Sequence, residues 1–91
     1  MIVRIATEGQ YELGEGERAS LNELDNEAVS ACRAGDEPRF RRTFKDLIEF
    51  VRHGQPVGDD DLRPSDVILP PPDVSLDEAK AEFSGEGLIP G

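Results

Sequence analysis

The stretch "DEPRFRRTFKDLIEFVRHGQP", residues 36–56, restricts the possible folds more than any other part of the chain. Phe40, Phe44, Leu47, Ile48 and Val51 recur at i, i+4, i+7, i+8 and i+11, which is one face of an α-helix. Asp36 or Glu37 can cap its start, and Pro38 fits the first turn, where a missing N–H costs nothing. Gly54 and Pro56 end it. A second helical pattern lies immediately upstream. Leu21, Leu24, Ala28, Ala31 and Cys32 share a face, Ser20 with Glu23 reads as a capping box, and Gly35 stands where a C-terminal cap is expected. Two or three residues join the two helices, so they must pack antiparallel as a hairpin.

The N-terminus reads as a strand pair. In "IVRIATEGQYEL" a two-residue Glu8-Gly9 loop would mix apolar and polar side chains on each face. A three-residue loop, Thr7-Glu8-Gly9, sets Ile5 opposite Tyr11, Val3 opposite Leu13 and Arg4 opposite Glu12. Gly9 then takes the left-handed position that such loops commonly require. The apolar face of this hairpin covers the helices.

From Val57 the chain changes character. "PVGDDDLRPSD" reads as a polar loop, and "VILPPP" as an edge strand or extended arm, because prolines cannot donate to a ladder. Ser75 with Glu78 forms another capping box, opening a short helix that carries Leu76, Ala79 and Phe83 and stops at Gly85. Leu88 and Ile89 are a candidate apolar plug. The expected fold is a single α+β domain over residues 1–91. An N-terminal β-hairpin (1–14) packs on an antiparallel helical hairpin (20–54), followed by an extended arm, short helix and tail (55–91).

A chain of 91 residues leaves roughly a third of its unfolded surface exposed, so its core is modest and leaves room for a stabilising partner or a homo-oligomer. Its formal net charge of −10 repels nucleic-acid backbones and anionic lipid headgroups, which favours protein partners with basic surfaces. No apolar run exceeds three residues, too short to enter a bilayer as a span, and Met1 leads straight into a strand without a basic leader. A cytoplasmic protein is expected, peripheral to a membrane only through a partner.

No catalytic constellation emerges. Gly14-Glu15-Gly16-Glu17-Arg18-Ala19 matches a phosphate-binding spacing, but its two glutamates would repel a pyrophosphate and its strand belongs to a hairpin. Asp59, Asp60 and Asp61 with Asp66 lack the alternation of a calcium loop and read as a solvated acidic segment. His53 is the only histidine and sits in a helix's last turn; Cys32, the only cysteine, lies on an apolar helix face. Neither a cofactor nor enzymatic activity is expected. The local exception to the acidity is "RFRRTFK". Arg39, Arg41, Arg42 and Lys45 are either balanced by Lys45–Glu49 and Arg42–Asp46 pairs or form a docking patch for an acidic partner. The apolar alternatives for a docking surface are Val67, Ile68 and Leu69 in the arm and Leu88 and Ile89 in the tail.

"MIVRI" followed by "EGQYEL", then "LRPSDVILPPPDVSLDEA" and a terminal "GEGLIPG", resembles the PspA-associated protein PspAA family across nearly the whole chain. The resemblance implies an accessory or regulatory protein-interaction role beside PspA, a coiled-coil, membrane-remodelling protein of the phage-shock envelope-stress response. It implies no active-site residues. A small acidic regulator of another signalling protein or a transcription factor is the alternative.

Overall fold

The structure, a computed structural model, describes residues 1–58 and 63–82. Strands β1 (Ile2–Ile5) and β2 (Gly9–Glu12) form the N-terminal hairpin. A 3-10 turn at Glu15–Glu17 leads into α1 (Arg18–Ala34), and α2 (Glu37–Arg52) follows. Strands β3 (Gln55–Val57) and β4 (Val67–Leu69) and helix α3 (Leu76–Glu82) complete the fold. The sheet order is β3-β2-β1-β4, with β4 parallel to β1 and the other pairs antiparallel. Val3, Ile5, Leu13 and Leu69 of the sheet side join Leu21 of α1 and Phe40, Leu47 and Val51 of α2 in one buried cluster. The α+β architecture is the expected one.

Helix α2 forms as its sequence dictates. The Asp36 carboxylate accepts the Arg39 N–H at 3.2 Å, Pro38 lies in the first turn, and the whole stripe from Phe40 to Val51 is buried. Between the helices Gly35 adopts a left-handed conformation, φ 70°. Its N–H donates to the Cys32 carbonyl and that of Asp36 to the Ala31 carbonyl, both at 3.1 Å. This pair of bonds satisfies carbonyls that the helix end would otherwise leave open.

The hairpin keeps the expected faces but not the expected register. Ile5 stands opposite Gly9 and Val3 opposite Tyr11, two residues from the expected pairing. A shift of two restores every side chain to its own face, so alternation alone cannot separate the registers. The turn decides between them. Glu8 N–H donates to the Ile5 carbonyl at 3.0 Å, and Thr7 rather than Gly9 takes the left-handed conformation, φ 69°. Gly9 has positive φ, 147°, but as the first residue of β2 opposite Ile5 and not as the last residue of the loop, which is Ala6-Thr7-Glu8. In this register Leu13 meets Met1, each accepting a bond from the other's backbone nitrogen at 2.8–2.9 Å.

Two further expectations need correction. Helix α1 begins at Arg18, not after Ser20, because the 3-10 turn runs directly into it; no side chain caps this start. Pro56 and Val57 belong with Gln55 to a strand and not to the loop, pairing Pro56 with Tyr11 of β2. Proline is tolerated there because β3 is an edge strand. At the second capping signature the serine cap forms, with Glu78 N–H donating to Ser75 Oγ at 3.1 Å, while the Glu78 carboxylate accepts from the Ser75 hydroxyl at 3.0 Å in place of its backbone N–H. The expected roles of Asp59–Asp61, Phe83, Gly85, Leu88 and Ile89 fall outside the described residues.

The face of the sheet turned away from the helices is crossed by the segment before β4. Asp66 pairs with the Ile2 backbone in both directions, its carboxylate accepting from Ile2 N–H and its own N–H donating to the Ile2 carbonyl, each at 2.8 Å. Arg63 meets Glu12 at 3.1 Å and Ser65 donates to Gln10 at 3.3 Å. Beside this strap Ile68 is the one large apolar side chain left exposed among the described residues, at 59%.

Candidate functional site

Among the described residues no group of three or more His, Cys, Asp or Glu side chains converges on a metal-sized site. His53 closes α2, its N–H bonding the Glu49 and Phe50 carbonyls. Cys32 is buried, and that burial pushes its thiol pKa up, which disfavours the reactive thiolate. The candidate surface with a cavity is on α2.

Residues 41, 45, 48, 49 and 52 follow one another along a row of the helix that borders the chain leaving β4. With Phe44 and Pro72 they line a pocket of about 160 Å³. Phe44 and Ile48 are core side chains whose edges meet this row, while Arg41 and Lys45 are exposed beside it. Arg41 is held in place: its Nη1 donates to the Val74 carbonyl at 2.5 Å, and its guanidinium carbon lies 6.0 Å from the Phe40 ring centre. These contacts tie α2 to the loop before α3.

At the other end Arg52 grips Glu8 with two parallel bonds, Nε to Oε2 at 2.9 Å and Nη2 to Oε1 at 2.5 Å. Its Nη1 also reaches Glu49 at 3.3 Å, and the Tyr11 hydroxyl donates to Glu8 at 3.0 Å. The turn residue Thr7 is β-branched and left-handed, a conformation that persists where surrounding contacts determine it. The clamp on its neighbour Glu8 is such a contact. The Arg52 bond, opposed by partial burial and aided by Tyr11, holds the Glu8 carboxyl below its ordinary 4.5. Burial, then the bond to Glu8, pushes the Tyr11 phenol up.

A carboxyl lowered on folding stabilises the fold above its unfolded pKa, and that contribution is lost as pH falls through the folded value. Here the window lies below 4.5. Glu8→Gln should therefore lower the urea midpoint at neutral pH, with the gap to wild type narrowing towards about pH 3. A gap that is the same at both pH values would mean that the clamp is not electrostatic.

The structure separates the candidate docking residues. Arg41 and Lys45 join the pocket, Arg42 is exposed away from its lining, and Arg39 is half-buried at the helix start. The expected balancing pairs are absent: among the described residues neither Lys45–Glu49 nor Arg42–Asp46 forms, and Glu49 turns to Arg52. In the apolar arm Val67 and Leu69 are buried in the core, so only Ile68 presents a surface. Sequence reading missed Arg52, Glu8 and Pro72. Extending the Arg41–Lys45 spacing by two further turns would have reached Arg52; nothing local marks the other two.

The family model described as PspA-Associated protein, PspAA, matches residues 1–91. No curated protein and no solved structure matches the chain. The chain belongs to the PspAA family.

Proposed function

We propose that, as a member of that family, this chain is a non-enzymatic accessory module that binds a PspA-like coiled-coil protein and acts with it in the membrane-stress response. The observation that carries this reading is the match over all 91 residues to a family described by its association with PspA. The surface chemistry supports it. A chain of net charge −10 is repelled by anionic lipid and nucleic acid, and no helix of the described residues is long and apolar enough to cross a membrane. The partner, not this chain, then makes the membrane contact. Its basic α2 row is a handle for a protein with an acidic face.

Calorimetric titration of the purified protein against PspA, without nucleotide or metal, is the test. Binding is expected at low salt and should weaken at moderate salt, where exposed charges are screened beyond roughly 8–10 Å. No detectable binding at low salt overturns the proposal.

A further inference from the structure

We infer that the α2 pocket receives an acidic helical segment of the partner, with one apolar side chain entering between Phe44, Ile48 and Pro72 while carboxylates on either side meet Arg41 and Lys45. This inference rests on the partner reading above. Three observations lead to it. The first is size: about 160 Å³ is comparable to the ~150 Å³ cavities that accept a benzene-sized group, which is room for one apolar side chain. The second is charge. Arg52 is engaged by Glu8 and Glu49, but Lys45 has no ion pair among the described residues and Arg41 gives one N–H to Val74 while keeping others to offer. In a chain with twice as many acidic as basic residues, a surface with two available cations beside an apolar floor is an exception that selects an anionic partner. The third is spacing. Arg41 and Lys45 stand one turn apart, about 6 Å along the axis, and a helix laid beside α2 repeats its carboxylates at that interval when they too are four residues apart.

The same lining explains why the occupant is amphipathic. Pro72 and the alkyl stems of Arg41 and Lys45 offer apolar area that a purely acidic peptide would leave wet. A side chain that fills the pocket removes that area from water and brings its neighbouring carboxylates to the cations.

The test compares wild type, Lys45→Glu and Lys80→Glu in titrations against PspA at low salt. Lys80, on α3, receives the same charge change away from the pocket. Lys45→Glu should weaken binding about tenfold or more and reduce its salt dependence, with Lys80→Glu close to wild type. Equal thermal midpoints confirm that all three are folded. Amide shifts of labelled wild type on adding PspA should centre on residues 41–52 and 73–74. Equal losses in both variants would reduce the effect to net charge and overturn the pocket. Wild-type binding indifferent to Lys45→Glu, or shifts centred on Ile68, would overturn the pocket while leaving the partner in place. Failure of wild type to bind PspA at all would remove the partner reading, and the pocket assignment with it.

Discussion

Phe40→Ala is expected to cost about 3–5 kcal/mol, a large share of the ~5–15 kcal/mol that stabilises an ordinary domain. Phe40 is fully buried and stacks on Phe44 with ring centres 5.4 Å apart and planes 12° from parallel. Truncation removes that stack, opens a cavity between the helices and withdraws the ring beside Arg41. In a chain of 91 residues the neighbouring elements have few other contacts with which to close the gap. A circular-dichroism melt should show a much lower midpoint or no folded baseline. An unchanged midpoint would mean that the α2 stripe is not the core.

Gly54→Ala should be the next most damaging change, at about 1–3 kcal/mol. The chain leaves α2 and enters β3 by passing directly over the end of β2. A Cβ on Gly54 would lie 2.6 Å from Leu13 Cδ2, 2.8 Å from the Glu12 carbonyl oxygen and 3.1 Å from that of Val51. The leucine can rotate, but the carbonyls belong to the hairpin and the helix end and cannot. Relief requires β3 to move away from β2, which breaks the pairing of Gln55 with Glu12. A urea midpoint that falls with unchanged slope is expected; an unshifted midpoint would show that the junction has room.

The parts of this fold that sequence reveals are those fixed by neighbours within a few residues. Helix α2 is one: its cap, proline, stripe and terminating glycine all act within a turn of each other. The hairpin is legible to the extent that period two is legible, so its faces were evident and its register was not. Pattern also fails where two local signals compete or a non-local partner decides. Ser20–Glu23 and Ser75–Glu78 have the same capping signature, yet only the second serine caps its helix, because a 3-10 turn gives α1 another entrance. Strand β3 is three residues long, too short for periodicity, and exists because β2 lies beside it. The pocket divides in the same way. Its cations were visible as charge. Their pairing was not, because Arg52 is taken up by Glu8, 44 residues away.

Strand β1 precedes the other described elements in the chain and lies between β2 and β4, but the residue that pairs with Val3 on the β4 side is Val67. The hairpin and the two helices need only contiguous chain, while closing the β1–β4 pair brings together ends 64 residues apart. At a synthesis rate of about 5–20 residues per second, the nascent chain carries β1 for about 3–13 s before its parallel neighbour exists. Throughout that interval one side of β1 is an open edge, of the kind that recruits foreign strands. The sheet is therefore sealed last by a strand of only three residues, and the prolines that follow Leu69 keep that late strand from extending further.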